Sequence, residues 1–376
     1  MLDWYAVHAR DLPWRRTRDP YAIWVSEIML QQTQVKTVIP FWERWMRELP
    51  TIEAAANASS DKLYKLWEGL GYYTRVRNLQ KAAQVIVNSG RSQVNEARII
   101  ENKSETPHVL SCNFPEKFDD VLALPGIGRY TAGAICSIAF NQPAPILDGN
   151  VIRVLTRLFG IAENPREKAT NAKLWKLAED LVGRAKDTMG KSSSPSSRFS
   201  REANFCSHLN QSLMELGALV CTPRSPQCRV CPAQKLCVAC KEDRAEVLPN
   251  LGRREVTTAR RFVAFVIPRE GKFLVKQRPA GVVNAHLWEF PNLEVNGEKV
   301  EPRDLFKAHF HFNAPGLSPL CIVKHSITRY RITLEAIAVS TGKFPVKIDG
   351  FWKTPVQMGQ LAFTSAHRRI LRALKV

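Results

Sequence analysis

Residues 124–150 read Leu124-Pro-Gly-Ile-Gly-Arg-Tyr-Thr-Ala-Gly-Ala-Ile-Cys-Ser-Ile-Ala-Phe-Asn-Gln-Pro-Ala-Pro-Ile-Leu-Asp-Gly-Asn150. The opening Leu124–Gly128 is a glycine-punctuated turn running into an uninterrupted helical stretch. Gly126 and Gly128 lack the side chains that hold backbone amides away from an anion, so the turn suits a phosphate at a helix N-terminus. Beyond it, Asp148-Gly149-Asn150 stands where a second helix begins. That helix is marked by Val151, Ile152, Val154, Leu155, Leu158 and Phe159 at i, i+3, i+4, i+7 spacing. An Asp in that place is ordinarily a helix cap.

A second carboxyl lies upstream. Glu27 sits in Trp24-Val-Ser-Glu-Ile-Met-Leu30, an apolar helical stretch. Burial there raises a carboxyl pKa and favours the protonated form. At Asp148 the helix dipole and free amides favour the anion. Two carboxyls pushed apart in this way suit hydrolysis of a glycosidic bond, which needs a proton on the leaving group and a negative charge beside the cationic sugar.

The 376 residues suffice for two domains, and 54 Lys and Arg against 35 Asp and Glu give a net charge of +19. Residues 241–376 hold 23 basic and 12 acidic residues, or +11, which leaves +8 for residues 1–240. Both halves are basic, as expected of two surfaces facing a polyanion. Met1-Leu-Asp-Trp-Tyr5 has neither a basic n-region nor an apolar h-region, and no apolar run is long enough for a membrane helix. The chain opens directly on a helical segment, Asp3–Arg10, so its true start is expected a few residues upstream. Nine cysteines, several of them clustered, read as reduced metal-binding thiols of an intracellular protein. Two tetrads are possible. Cys221, Cys228, Cys231 and Cys237 are separated by six, two and five residues, while Cys228, Cys231, Cys237 and Cys240 offer a zinc arrangement with a short central gap. Cys112, Cys136, Cys206 and Cys321 are scattered and read as structural thiols.

Residues 1–241 read as helical, 242–260 as a charged, Pro/Gly-punctuated linker, and 261–376 as a mixed α/β domain. Phe262–Ile267, the turn Arg269-Glu-Gly271 and Phe273–Val275 predict a hairpin, and Tyr330–Val339 alternates as a strand. Ser89–Pro115 is polar without clear period, and Gly190–Ser197 is low in complexity.

Five separated motifs occur in order: Asp11-Leu-Pro-Trp-Arg15, Trp24–Val35, Leu66-Trp-Glu-Gly-Leu-Gly-Tyr-Tyr73, the 124–150 stretch and Leu213–Cys221. Together they resemble the MutY-type adenine DNA glycosylases of the helix-hairpin-helix/endonuclease III superfamily. The resemblance covers nearly all of residues 1–240. It implies a mainly α helix-hairpin-helix domain with an iron–sulfur loop, followed by an α/β Nudix-like lesion-recognition domain. It implies a monomeric base-excision repair enzyme that binds duplex DNA and flips out adenine paired with 8-oxoguanine or G. By carry-over Glu27 protonates adenine N7, and Asp148 stabilises the sugar cation. Tyr130 and Asn150 position the sugar and Asp148. Gln211 contacts the flipped base, and Gln32 and Tyr72 fill the stack. Gly126 and Gly128 serve the phosphate backbone.

In this superfamily a Lys two residues after the second Gly marks enzymes that also cut the strand. Tyr130 occupies that place, and a phenol cannot form a Schiff base. The resemblance also implies a 4Fe–4S cluster on Cys221, Cys228, Cys231 and Cys237, whose soft thiolates suit iron–sulfur chemistry. Residues 261–376 resemble the Nudix-like domain through Leu287-Trp-Glu-Phe-Pro291, but no acidic R-E-x-x-E-E run follows, so no diphosphatase activity is expected. The family's Phe-Ser-His lesion loop falls on Ile327, Thr328 and Arg329, a departure from the family's pattern in all three residues. The rival classes are an endonuclease III-like pyrimidine glycosylase, a non-catalytic iron–sulfur DNA-binding module and a Nudix nucleotide hydrolase. Tyr130, the retained Glu27 and Asp148, and the missing acidic run argue against each in turn.

Overall fold

The computed structural model describes residues 1–101, 114–189, 204–252, 256–295, 300–327, 329–342, 345 and 348–374, with the side chains of 91–101 and 188–189 excluded. Helices α1 (Leu2–His8), α2 (Pro20–Leu30), α3 (Val35–Glu48), α4 (Ile52–Asn57), α5 (Ser60–Trp67), α6 (Thr74–Glu101), α7 (Phe118–Leu122), α8 (Arg129–Phe140), α9 (Gly149–Leu158), α10 (Lys168–Met189), α11 (Phe205–Leu219) and α12 (Val238–Lys241) come first. An α/β region follows, with strands β1 (Thr258–Val266), β2 (Pro268–Arg269), β3 (Lys272–Gln277), β4 (Trp288–Glu289) and β5 (Asn292–Val295), helix α13 (Pro302–Phe310), strands β6 (Leu317–Ile327), β7 (Tyr330–Val339) and β8 (Phe351–Lys353), and helices α14 (Pro355–Gln360) and α15 (Ser365–Ala373). The chain divides into two compact units. The first comprises Met1–Asn57 and Arg77–Arg253, and the second Ala58–Val76 and Arg254–Val376.

In the first unit α2 is a central helix, with nine of its eleven residues buried. Its start is set by Asp19, whose carboxylate accepts from the Tyr21 and Ala22 amides, and by Pro20 in the first turn. The 124–128 turn precedes α8, as the glycines imply. Gly126 has φ +78°, and a Cβ there would stand 2.5 Å from Cβ of Asn78. At Gly128, which caps α8 in extended conformation, a Cβ would meet open space. The Gly128 backbone is therefore accessible from outside, as an approaching anion requires. Helix α9 begins at Asp148 and packs Val151, Val154 and Leu155 into one core with Ile146, Leu174, Leu213 and Leu216. Phe159, expected on that apolar stripe, is exposed just past the helix end.

In the second unit, β5-β1-β7-β6 form one sheet, with β1 parallel to β7 and antiparallel to β5. A smaller sheet joins β2, β4 and β8 to β3. Successive residues of β1 point to opposite faces, and both faces are covered. Ala264 and Val266 pack with Leu334, Phe363 and Ile370 on one side; Val263 and Phe265 pack with Phe306 and Ile337 on the other. A strand buried on both faces reads as a continuous apolar run, which explains Phe262–Ile267.

The hairpin expected between Phe262–Ile267 and Phe273–Val275 forms at its turn end, where Pro268 and Arg269 pair with Phe273 and Lys272 and the Leu274 amide donates to the Ile267 carbonyl at 3.0 Å. Strand β1 stays in the larger sheet and the chain changes sheets at Ile267, so the turn at Arg269–Lys272 joins β2 to β3. Tyr330–Val339 is a strand, paired antiparallel with β6 in a register that sets Ile327 opposite Tyr330. Helix α6 continues to Glu101, inside the stretch that showed no period. Thr328, Cys112 and Gly190–Ser197 lie outside the described residues.

The two turn glycines should separate in a stability assay. Gly126→Ala meets both a left-handed backbone and the Asn78 side chain, and is expected to lose about 2 kcal/mol or more in urea unfolding. Gly128→Ala meets neither and should lose about 1 kcal/mol or less, the ordinary cost of Ala at a helix cap. Equal losses would show that the turn is not held as described.

Candidate active site

Helices α2, α8, α9 and α11 and the segment after α1 enclose a cavity of about 600 Å³, and Glu27, Tyr130, Asp148, Asn150, Gln32 and Gln211 all line it. The catalytic and base-contact residues expected in the first unit thus converge in space. Glu27 is 4% exposed, and its Oε2 accepts a 2.7 Å hydrogen bond from the Tyr130 hydroxyl. Burial pushes the Glu27 carboxyl up to about 7; the Tyr130 bond opposes the rise and the nearby Asp148 adds to it. Burial likewise raises the Tyr130 phenol well above its ordinary value, and the Glu27 and Asp148 charges add to that, so Tyr130 acts as a donor.

Asp148 is the cap of α9. Its Oδ1 accepts from the Val151 amide at 2.7 Å and its Oδ2 from Asn150 Nδ2 at 3.0 Å. The expectation that its helix terminus would set its charge needs amending. Burial raises the Asp148 pKa, and hydrogen bonds from Val151 and Asn150 with the Arg153 charge work against that rise. The contrast with Glu27 lies in the donors. Glu27 is held by a phenol, whereas Asp148 accepts two backbone amides and a side-chain amide at the positive end of a helix.

Arg153 orders this corner and was not singled out in the sequence. Its guanidinium donates to Asn150 Oδ1 (2.9 Å), to the Gly217 carbonyl (2.7 Å) and to the Cys221 carbonyl (2.7 Å). With Oδ1 so engaged, the Asn150 amide must turn its NH₂ toward Asp148. Close approach of α11 makes this possible, since a Cβ on Gly217 would lie 2.6 Å from Cβ of Asn150. A polar residue inside the apolar stripe of α9 was the available signal.

A second buried carboxyl, also missed, lines the cavity. Glu215 accepts from the Arg10 Nε and backbone amide at 2.8 Å each, from Arg10 NH2 at 2.7 Å and from Arg15 NH2 at 2.8 Å. Burial alone would raise its pKa, but the Arg10 and Arg15 hydrogen bonds outweigh burial and hold the carboxyl at about 2. Its signal was an acid in Leu213-Met-Glu-Leu216, which has no cation of its own. Gln211, 8% exposed, accepts from the Tyr5 hydroxyl at 3.0 Å and donates to Ser207 Oγ at 3.1 Å, which fixes its amide. Gln32 is exposed at the rim with φ +56°.

Tyr72, Ile327 and Arg329 belong to the second unit. Tyr72 is 44% exposed with φ +47°. Ile327 ends β6, and the Arg329 guanidinium lies over the Tyr330 ring at 5.3 Å.

Cys221, Cys228, Cys231 and Cys237 are free thiols in the loop between α11 and α12. Burial pushes the Cys228 thiol up to about 11 and raises Cys231 and Cys237, and in each case charge on neighbouring cysteines, Cys240 among them, adds to the rise. Arg157, 2% exposed, donates to Cys221 Sγ at 3.3 Å, and its carbonyl accepts from Cys237 Sγ at 3.4 Å. Among the described residues no three His, Cys, Asp or Glu side chains converge as a single metal ion requires. Four cysteine thiols with a guanidinium on Cys221 are a donor set that a 4Fe–4S cluster would take, one thiolate per iron.

Residues 25–180 match the HhH-GPD superfamily of base excision DNA repair proteins, and residues 263–373 match the NUDIX domain. The adenine DNA glycosylase of Rattus norvegicus is 33% identical over 99% of this chain and 76% of its own length. That of Homo sapiens is 32% identical over 99% of this chain and 72% of its own. That of Buchnera aphidicola subsp. Schizaphis graminum is 32% identical over 80% and 76%. With its helical HhH-GPD unit, its C-terminal Nudix unit and relatives matched along most of their length, the chain belongs to the MutY-type adenine DNA glycosylase family.

Proposed function

We propose that the protein is a monofunctional DNA glycosylase that hydrolyses the N-glycosidic bond of adenine opposite 8-oxoguanine, or G, in duplex DNA. The observation that carries this reading is a carboxyl held near neutral pKa, hydrogen-bonded to Tyr130, in the same cavity as Asp148. Near pH 7 Glu27 still holds a proton that adenine N7 can accept as the bond to C1′ lengthens. The electron pair of that bond leaves with the base. Ionised Asp148 then faces the oxocarbenium ion until water adds to C1′. Tyr130 keeps Glu27 oriented, and the Arg153–Asn150 pair does the same for Asp148. Gln211, locked by Tyr5 and Ser207, forms part of the wall against the base, while Gln32 and Tyr72 occupy space in the opened stack.

Tyr130 stands where strand-cutting relatives carry a lysine, and a phenol cannot supply the amine that a lyase places on the sugar. Gly126 and Gly128 present the turn before α8 to a phosphate. Ile327, Thr328 and Arg329 read the lesion strand, and the only acid within α13 is Asp304, which suits a reader better than a Mg²⁺-dependent hydrolase. Cys221, Cys228, Cys231 and Cys237 hold a 4Fe–4S cluster, which when bound supplies a compact anionic cross-link for the 221–237 loop. Among the described residues no helix is long and apolar enough to cross a membrane. The reading places the protein on DNA inside the cell, as a monomer.

Single-turnover cleavage of duplexes carrying A:8-oxoguanine, A:G or thymine glycol, with and without hot alkali, tests this function. Product from the first two that appears only after alkali supports it; alkali-independent nicking or a preference for thymine glycol overturns it. Glu27→Gln should keep binding to A:8-oxoguanine DNA and lose at least about 10²–10⁴-fold in excision, the usual worth of a general acid. Excision within tenfold of wild type would remove Glu27 from the role.

Two further outcomes follow from the carboxyls and the thiols. The excision rate should fall as pH rises through about 7, where Glu27 loses its proton. Because the folded-state pKa lies above the unfolded value of 4.5, the proton on Glu27 stabilises the fold fully below that value, and this contribution is lost as pH climbs to about 7. Glu27→Gln should therefore gain stability over wild type at pH 8, by on the order of 2–3 kcal/mol, and little at pH 4. A difference independent of pH would deny the shift. Anaerobically purified protein should be brown, with about four irons per chain, and Cys228→Ser should lose them. Zinc without iron would select the Cys228, Cys231, Cys237 and Cys240 tetrad instead.

A further inference from the structure

The segment Ala58–Val76 belongs to the compact unit that holds the α/β region, and one buried carboxylate fastens it there. The Glu68 side chain is 6% exposed. Its Oε1 accepts from the Phe363 amide at 3.0 Å, just ahead of α15. Its Oε2 pairs with Arg368 in the first turn of α15 and with Lys65 at 2.9 Å. Lys65 in turn donates to the Leu361 carbonyl at 3.1 Å.

Directly after Glu68 comes a turn with positive φ at Gly69, Gly71 and Tyr72. It is held from within by Trp67 Nε1 on the Gly71 carbonyl (3.0 Å) and by Arg75 NH2 on the Leu70 and Gly71 carbonyls (3.0 and 3.1 Å). A tyrosine keeps a left-handed backbone only when its surroundings over-determine it. Here the surroundings present the ring outward.

Helix α15 reaches the lesion-reading hairpin as well. Ala366 and Ile370 pack with Val323 of β6, and Arg369 donates to the Lys324 carbonyl at 3.4 Å. Ile327 is three residues further along that strand. Two adjacent arginines of α15 therefore hold, on one side, the turn that presents Tyr72 and, on the other, the strand that ends at Ile327.

We propose that α15 couples lesion reading to the Tyr72 wedge through the Glu68–Arg368 pair, so that engagement of 8-oxoguanine at the Ile327 end of β6 sets Tyr72 in the stack. Glu68 and Arg368 are positioning residues for discrimination, and neither contacts the reacting atoms. The inference rests on the proposed function, because it takes Tyr72 as the wedge and residues 327–329 as the reader.

The test is a double-mutant cycle on the ratio of single-turnover rates for A:8-oxoguanine and A:G duplexes. Glu68→Gln keeps an acceptor for the Phe363 amide, and Arg368→Gln keeps length and polarity. Each is expected to lower the ratio by about fivefold or more, chiefly by slowing A:8-oxoguanine, as loss of a coupling between two sites would. The double variant should lower it no further, because the two residues act as one pair. Arg368→Lys, which keeps the charge, should retain most of the ratio. Thermal unfolding of every variant is followed alongside. A lowered melting temperature with an unchanged ratio shows a purely structural staple and overturns the proposal, and so do additive effects on the ratio. If Glu68→Gln fails to fold, the Arg368→Gln and Arg368→Lys pair decides by the same ratio. A wild-type protein with no adenine excision overturns the proposed function and this inference with it. An active wild type whose ratio survives both substitutions overturns this inference alone.

Discussion

Burial of the Glu27 carboxyl inside α2 is the interaction on which the first unit depends. A carboxylate in that place would be costly without a bonded cation; among the described residues its hydrogen-bond partner is the Tyr130 phenol, a donor that does not ionise near neutrality. The proton therefore stays on Glu27 to about pH 7. The same unit treats its other buried carboxyl in the opposite way. Glu215, with Arg10 and Arg15 on both oxygens, is ionised down to about 2. Two carboxyls of similar burial thus carry different charge because one was matched with a phenol and the other with two guanidinium groups. Glu215 closes the cavity wall by tying the segment after α1 to α11.

Asp148 depends on a second set of contacts that runs out of the cavity. Its cap bonds come from α9, and the orientation of Asn150 comes from Arg153, which also grips the Gly217 and Cys221 carbonyls. Arg157, one turn further along α9, holds the Thr222 and Leu248 carbonyls and touches Cys221 Sγ. Residues of one helix, α9, therefore hold both the Asp148 corner and the start of the cysteine loop. The hydrogen bonds from the 221–237 loop to Asp148 run through Cys221, Arg153 and Asn150.

In the second unit, the two-faced sheet leaves little freedom to its covering helices. Packing on both sides of β1 fixes α13 and α15, and α15 brings its two arginines to bear on separate segments. Loops carry recognition more readily when a rigid element holds their bases.

The helical first part, the 124–128 turn and the two carboxyls Glu27 and Asp148 were legible in the sequence because their signals are local, whereas Tyr130, Asn150, Gln32 and Gln211 were marked only by the family resemblance. Gly126 needs its left-handed backbone whatever surrounds it, Asp148 caps the helix that immediately follows, and the apolar spacing of α9 marks the face it must bury. The cysteine spacing likewise offered its candidate tetrads before any fold was known. What tertiary structure decided was pairing across long separations. That Glu27 meets Tyr130, Glu215 meets Arg10 and Arg15, and Glu68 meets Arg368 follows from which helix faces come together, and no local pattern encodes a partner 103, 205 or 300 residues away. The same holds for β1. Its apolar run announces burial on both faces, but its choice of β5 and β7 over the nearer β3 is settled by sheet packing. The charge on each buried carboxyl was also decided there, because desolvation and its compensating donors exist only once the chain has folded around them.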